Sequence, residues 1–214
     1  MLNISQVKTI YSNAYKEHGD SIKSLFIPKG RQKERFDVLT SYINNDGFTI
    51  LDYGCGLAHL KQYLEEKFSD YTYTGVDIVN EFIDENTKKF KDAQFQLINE
   101  HQEIVGNFDF IISAGVFNIL YDDSFEKQQY IIEETLTHLF SLANKVLSVD
   151  FMTDQVDFIQ ENNYHQNVVQ IYNFASKNLS KRLVIDQSYM PYEFTIHIFK
   201  DDGIVRPDNI YLPV

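Results

Sequence analysis

The chain has 214 residues, which suits one α/β domain with a sizeable core and leaves little room for two full domains. Its 31 acidic and 19 basic residues give a net charge of −12, which disfavours DNA or RNA as partners because phosphate backbones are bound by clustered Lys and Arg. The single cysteine, Cys55, excludes an intrachain disulfide and a multi-cysteine metal site. Since the chain opens without a basic segment followed by an apolar run, and since no stretch reaches the roughly 18 apolar residues of a membrane span, we expect a cytoplasmic protein outside the membrane.

Helical and strand-like runs alternate from about Phe36 to Val149, which is typical of a parallel sheet with crossover helices. Apolar residues at helical spacing (Phe36, Leu39, Ile43) precede the first strand, and similar stripes predict one helix from Ile132 to Ala143 and another from Val168 to Leu179. The candidate strands are Phe48 to Tyr53, Tyr71 to Asp77, Ala93 to Ile98, Phe108 to Ala114, Val146 to Phe151, Arg182 to Asp186 and Glu193 to Phe199. The pattern predicts a doubly wound α/β sheet with helices on both faces.

The segment from 49 to 60 is the most informative, because an apolar strand there breaks into a turn of small residues and then opens a helix. Gly54 and Gly56 permit a tight turn and let the backbone approach a bound group, and the small side chain of Cys55 fits between them. In a dinucleotide-binding Gly-x-Gly-x-x-Gly turn, the last glycine would fall on His59, whose side chain would crowd helix against strand. The spacing, with Asp52 before the glycines, resembles motif I of class I S-adenosylmethionine (SAM) dependent methyltransferases. In this chain Ala58 stands where that motif usually has its third glycine.

The second strand ends in Asp77, about one helix and one strand after Asp52. A carboxylate at such a strand tip can accept hydrogen bonds from both hydroxyls of a ribose. The alternative is that Asp77 is the N-cap of a helix that begins at Ile78.

The resemblance covers roughly Arg35 to Lys200 and implies a Rossmann-like sheet of seven strands, the last antiparallel, which a short hairpin connection permits. It implies that SAM is the cofactor and S-adenosylhomocysteine (SAH) the product. Asn99 and Glu100 stand where the family usually has a Gly-Asp pair near the adenine. From the resemblance together with the chemistry of the side chains, the predicted cofactor-binding residues are Arg35, Gln32, Asp52, Gly54, Cys55, Gly56, Asp77, Ile78, Asn99, Glu100, Ser113 and Gly115.

An aromatic and basic segment precedes the first strand, and we divide the chain into a helical lid or cap (1–35), a SAM-binding domain (36–200) and a C-terminal tail (201–214). Arg35, with Gln32 beside it, matches the carboxylate of SAM in charge and geometry, and the alternative is a solvated start of a helix. Tyr11 and Tyr15 form one face of a lid or simply pack on the body. The tail is disordered, packs on the domain or reaches a neighbouring subunit, and both a monomer and a homodimer are open.

The run from 113 to 118 follows the fourth strand and resembles a Ser-x-Gly-x-Phe-Asn segment of a bacterial methyltransferase subgroup, as does 192–195. Members of that subgroup look like modifiers of small molecules or of surface-polysaccharide precursors. We expect Phe117, Asn118 and Tyr192 near the acceptor. The candidate general bases are Asp150, His165 and Glu193, and a base is needed only where the acceptor holds its proton. Six scattered histidines show no paired spacing typical of a metal site.

The sequence therefore predicts an enzyme that transfers a methyl group from SAM to an oxygen or nitrogen of a small molecule, with a sugar or polysaccharide precursor as the narrower expectation. An aminopropyl transferase would need an acid-lined polyamine groove and no carboxylate clamp, so Arg35 speaks against it. The lack of an Asn-Pro-Pro-Tyr type motif and of a basic surface disfavours a protein or nucleic-acid methyltransferase. A SAM-binding regulatory subunit without catalysis is a further alternative that only turnover excludes.

Overall fold

The computed structural model describes residues 4–27, 30–120, 124–159 and 162–200, so the expected tail at 201–214 lies outside the described residues. The helices are α1 (Ile4–His18), α2 (Arg31–Leu39), α3 (His59–Glu65), α4 (Asn80–Lys89), α5 (Phe125–Leu142) and α6 (Val168–Asn178). Short 3-10 turns lie at Ile22–Leu25, His101–Glu103 and Val116–Asn118. Among the described residues, none of these helices combines the length and apolar character needed to cross a bilayer.

One sheet of seven strands organises the molecule, in the order β3-β2-β1-β4-β5-β7-β6. Its strands are β1 (Phe48–Tyr53), β2 (Tyr71–Asp77), β3 (Gln94–Leu97), β4 (Phe108–Ser113), β5 (Ala143–Met152), β6 (Leu183–Asp186) and β7 (Glu193–Phe199). The pairs among β1 to β5 are parallel, whereas β7 runs antiparallel to both β5 and β6. This confirms the predicted α/β fold with its antiparallel last strand.

Two apolar cores cover the two faces of the sheet, and β1 feeds both of them. Ile50 points into the core under α2 and α3, and Leu51 points into the core under α5 and α6. Both side chains are fully buried. Since successive strand residues face opposite sides, a central strand covered by helices on both faces is apolar at every position that packs.

Two predicted helical stripes extend too far. Helix α2 ends at Leu39, because the next residue, Thr40, turns its backbone out of the helix and donates its hydroxyl proton to the carbonyl of Phe36. Ile43 is buried beyond the helix. At the other site, Ala143 opens β5 instead of closing α5, since it pairs with Phe108 of β4.

Helix α1 forms a roof over one end of the sheet. Its Tyr11 and Tyr15 pack their rings edge-on against Phe82 of α4. Ser12 donates a hydrogen bond to Glu81, and the Lys8 ammonium reaches the side-chain oxygen of Asn99 at 3.0 Å. The proposed boundary between residues 35 and 36 falls inside α2, so it would divide one helix between two domains.

Candidate active site

A cavity of about 1350 Å³ opens at the carboxyl ends of the parallel strands. The strand order reverses between β1 and β4, which is where open α/β sheets bind their ligands. The predicted site residues that line it are Tyr11, Gln32, Arg35, Asp52, Gly54, Cys55, Gly56, Asp77, Ile78, Asn99, Glu100, Gly115, Phe117, Asn118, His165, Tyr192 and Glu193. Tyr15, Ser113 and Asp150 lie outside the lining.

The turn between β1 and α3 is built so that backbone atoms meet the cavity. Gly54 and Gly56 have φ of +75° and +50°, a conformation that side chains rarely adopt. A Cβ at Gly54 would lie 2.2 Å from a methyl of Val116, and one at Gly56 would lie 2.9 Å from Leu25. Ala58, in the third glycine place, also has a positive φ of 55°, at a cost of about 1–2 kcal/mol.

Cys55 sits in this turn as a packed side chain. Its sulfur fills the space beside Gly75, where a Cβ would approach it to 2.9 Å. Burial raises the pKa of the Cys55 thiol well above its usual range, so the sulfur stays protonated and poorly nucleophilic.

Asp77 holds the same turn from the neighbouring strand. One carboxylate oxygen accepts the Gly56 N–H at 2.8 Å, and the other accepts the Val79 N–H at 2.9 Å. Helix α4 begins at Asn80 with Val79 as its N-cap, so the N-cap alternative for Asp77 is wrong. Each oxygen keeps a second lone pair that can accept from a ligand hydroxyl.

Asp52, at the end of β1, is a buried carboxyl group with one strong partner. It accepts a hydrogen bond of 2.5 Å from the Tyr73 hydroxyl. Burial raises the pKa of Asp52 to about 7, and the nearby charge of Asp77 adds to the rise, while the Tyr73 bond opposes it. Near neutral pH the group therefore carries a negative charge only part of the time.

At the end of β3, Asn99 and Glu100 lie on the cavity as predicted. The side-chain oxygen of Asn99 accepts from Lys8 of α1, and its backbone N–H donates to Glu103. The sequence interpretation missed the next two lining residues, His101 and Gln102. They follow the strand end in a 3-10 turn, which carries no sequence signal as strong as the glycine pair.

Arg35 is buried between two carboxylates, with 6% of its surface exposed. Its Nε lies 2.8 Å from Asp150 and donates to Glu193, and its Nη2 donates to both oxygens of Glu193 at 2.7 and 2.8 Å. The alternative of a solvated helix start is therefore wrong. Nη1 lies 3.5 Å from the point that a Cβ on Gly115 would occupy, so this edge of the guanidinium borders the cavity.

Two of the three predicted bases are thus the partners of Arg35. Asp150 also accepts the Gly115 N–H at 2.5 Å. Burial raises the pKa of Asp150 to about 6 against the pull of the Arg35 charge. Asp150 and Glu193 lock the cation that joins α2 to β5 and β7.

The third predicted base, His165, is held differently. Its Nδ1 lies 2.8 Å from the carbonyl oxygen of Thr153. A carbonyl only accepts, so Nδ1 carries a proton, and in the neutral imidazole the lone pair is then on Nε2. Nε2 is buried and has no hydrogen-bond partner among the described residues, and the ring lines the cavity.

The strand ends bring His165 next to the segment after β4. Asn118 accepts the Tyr164 N–H on its carbonyl and the Met152 N–H on its side chain. The Asn118 side chain also comes within 4.0 Å of the Cβ position of Gly115. His165, Asn118 and Gly115 consequently form one continuous edge of the cavity. Ser113, by contrast, is fully buried, its hydroxyl has no hydrogen-bond partner within the described part of the chain, and it does not line the cavity.

Known proteins share this architecture. Residues 51–145 match the family model of the methyltransferase domain. The Mycobacterium tuberculosis protein Rv1506c, whose name provisionally assigns it as a methyltransferase, is 25% identical over 157 residues, which cover 72% of this chain and 95% of that protein. This match agrees with the glycine turn between β1 and α3, since both are typical of a methyltransferase domain.

Solved structures extend the likeness to nearly the whole chain. The SAH complex of magnesium protoporphyrin IX methyltransferase from Synechocystis superposes with a TM-score of 0.59 at 18% identity, over 94% of this chain and 89% of that one. A TehB-like SAM-dependent methyltransferase from Corynebacterium glutamicum gives a TM-score of 0.59 at 17% identity, over 91% and 98%. At these identities the structures show a shared fold. The match of residues 51–145 to the methyltransferase domain agrees with the expected methyltransferase and its SAM cofactor.

Proposed function

We propose that this class I SAM-dependent methyltransferase transfers the methyl group to an oxygen or nitrogen of a small molecule. The observation that carries the proposal is the division of the cavity along the sheet edge. One half is bounded by the ends of β1, β2 and β3, and the other by the ends of β4, β5 and β7, with Gly115 between them. At about 1350 Å³ the cavity exceeds the roughly 300–1000 Å³ of a pocket for one small ligand, so two ligands fit at once.

The first half suits SAM in its chemistry. The glycine turn leaves room for the methionine portion, the free lone pairs of Asp77 suit the ribose hydroxyls, and Ile78, Asn99 and Glu100 border the place for adenine. We assign the amino group of SAM to Asp52 and its carboxylate to Nη1 of Arg35, since the other two nitrogens of that guanidinium are already engaged. When bound there, SAM supplies a methyl group on a sulfonium.

The second half supplies a base. When the acceptor oxygen or nitrogen receives the methyl group, His165 Nε2 would accept the proton that this atom loses. Thr153 keeps the imidazole in the required tautomer. Asp150 and Glu193 are less suited to this role because both are committed to Arg35.

A small acceptor is favoured over a protein or nucleic acid on two grounds. The net charge of −12 opposes a nucleic-acid surface. The structural neighbour from Synechocystis is named for a small acceptor, magnesium protoporphyrin IX. A sugar or surface-polysaccharide precursor is the narrower form of this proposal, supported by the resemblance of residues 113–118 and 192–195 to one bacterial subgroup.

The experiment combines binding with turnover. Calorimetry should detect binding of SAM and of SAH but no binding of NAD. Methyl transfer to a small acceptor should also be measurable. His165→Gln should lower kcat about 10²- to 10⁴-fold, the range for losing a general base, while SAH binding is unchanged. His138→Gln is the matched control, because its ring also contacts a backbone carbonyl, that of Ile104, at 3.0 Å but does not line the cavity.

Each failure has a separate meaning. If SAH does not bind, the proposed function is wrong. If SAH binds and methyl transfer survives His165→Gln at the wild-type rate, only the assignment of the base is wrong. Binding of SAH without turnover on any small acceptor would instead favour the regulatory-subunit alternative.

A further inference from the structure

We infer that the acceptor is a phosphate-free molecule with an apolar body, seated against one wall of the second half of the cavity. This inference rests on the proposed function and names the class of its acceptor. It argues against the narrower form of that proposal wherever the sugar or polysaccharide precursor carries a phosphate. The apolar wall consists of Ile119, Tyr130, Ile131, Val156 and Phe158, all of which line the cavity. It was missed in the sequence because exposed aromatic residues in a loop and on the outer flank of a helix follow no periodic pattern.

The apolar wall lies beside the proposed base. Ile119 forms a bridge with Asn163, two residues before His165. Leu120 donates its N–H to the carbonyl of Asn162. These contacts join the segment after β4 to the segment that carries His165, so a molecule resting on the wall has its reactive atom within the same compartment as Nε2.

The wall also leaves much apolar surface open to solvent. Phe158 is 70% exposed, Tyr130 is 63% exposed and Ile131 is 42% exposed. Side chains of this kind supply large contact area when a ligand covers them, and a cluster of them at the rim of a cavity marks a ligand-binding surface. An apolar ligand body would remove this surface from water.

Charge excludes the phosphate-bearing precursors. Among the described residues that line the cavity there is no lysine, and Glu134 and Asp157 stand beside the wall. Arg35 already faces Asp150 and Glu193. Arg31, the other arginine in the lining, is exposed at the first residue of α2. A phosphate needs charged or forked donors, and next to the wall it would meet carboxylates instead.

The test uses defined probes in the presence of saturating SAH, so that binding is measured without turnover. The apolar probe is 2-naphthol, and the phosphate-bearing probes are glucose 1-phosphate and a uridine diphosphate sugar. We expect calorimetry to detect 2-naphthol and neither phosphate compound. Phe158→Ala and Tyr130→Ala should each lower the affinity for 2-naphthol about 10-fold or more, since burying such a side chain against the ligand contributes about 1.5–3 kcal/mol.

Tyr172→Ala is the matched control, because Tyr172 is an exposed aromatic residue of α6, 46% exposed, that does not line the cavity. It should leave the affinity for 2-naphthol unchanged, and all three variants should bind SAH as the wild type does. Because each replaced side chain is exposed, the variants should fold.

Three results would overturn the inference while SAH binding keeps the proposed function. One is tighter binding of either phosphate compound than of 2-naphthol, with loss of that binding in Arg31→Gln. Another is failure of 2-naphthol to bind, or equal binding to wild type and Phe158→Ala. The third is a wild-type dimer in sedimentation that Phe158→Ala dissociates, which would make the wall a contact between two copies of the chain.

Discussion

A buried cluster of one positive and two negative groups is formed by Arg35, Asp150 and Glu193. The charge of Arg35 stabilises the two carboxylates in their buried positions. Ions removed from water are stabilised only by partners at short distance, so removing one partner exposes the others to the full desolvation cost. The cluster ties α2 to β5 and β7. It therefore holds α2, β5 and β7 in fixed positions beside the cavity even before any ligand binds.

We expect Arg35→Met to lower the free energy of unfolding by about 3–5 kcal/mol, the range for leaving buried charges unpaired. Adding Asp150→Asn and Glu193→Gln to this variant should recover most of the loss, because no buried charge is then left. Urea denaturation of the single and triple variants measures both values. A loss below about 1 kcal/mol in Arg35→Met would contradict the buried position of the cluster.

Asp52 makes cofactor binding depend on pH. Its pKa of about 7 means that the carboxyl group is mostly neutral below pH 7 and mostly charged above it. If the charged form holds the amino group of the cofactor, the affinity for SAH should rise from pH 5.5 to pH 7.5, and calorimetry across this range measures it. The opposite holds for the free protein, in which protonation of Asp52 on going below pH 7 stabilises the fold, because the unfolded group has the lower pKa.

Two controls isolate this effect. Asp52→Asn should bind SAH weakly and without this pH dependence. The nucleoside 5'-methylthioadenosine lacks the amino-acid portion, so its affinity for the wild type should stay constant. Equal pH dependence for both ligands would assign the titration to another group.

At the scale of elements, the junction of β1 with α3 depends on space as well as on backbone conformation. Gly54 and Gly47 have nearly the same φ, +75° and +81°. A Cβ at Gly54 would overlap Val116, whereas at Gly47 the nearest atom is 3.8 Å away, on Asp70. The two glycines thus separate the cost of the φ angle from the cost of the contact.

Both Gly54→Ala and Gly47→Ala should lose about 1–2 kcal/mol of stability from the left-handed conformation. Gly54→Ala should lose about 1–3 kcal/mol more from overpacking and should also lose SAH binding. Adding Val116→Ala should return part of that second loss. Thermal unfolding and calorimetry provide the measurements, and equal stability of the two single variants would show that the turn is not tightly packed.

At the scale of the whole molecule, the sequence predicts all seven strands of the sheet, but it predicts their ends with unequal accuracy. β1, β2 and β7 have the predicted bounds because their apolar runs end at turn residues or polar side chains. The edge strand β3 is one residue shorter than predicted at each end, and the edge strand β6 begins one residue later than predicted, since an edge strand pairs on one side only. Inside the sheet, β4 ends one residue early at Ser113, and β5 begins at Ala143 instead of Val146 and ends at Met152 instead of Phe151.

The candidate site divides in the same way. Asp52, Gly54, Gly56 and Asp77 are predictable because a local turn places them. The contacts of Arg35 are not, since its partners lie 115 and 158 positions further along the chain and meet it only when β5 and β7 enter the sheet. The apolar wall is likewise assembled from three separate segments.

Helix α1 and the apolar wall border different parts of one cavity, so we expect the two proposed ligands to exchange at different rates. Tyr11 lies close enough to Asp77 for that carboxylate to help raise the pKa of Tyr11 to about 12, although burial is the larger cause. If the cofactor binds at Asp77 as proposed, it lies next to Tyr11, and we expect its release to require α1 to move away from Phe82 and Glu81. A molecule on the apolar wall would instead leave through the exposed rim. We therefore expect acceptors and methylated products to exchange faster than the cofactor. The movement of α1 should then limit the rate at which SAH is replaced by SAM.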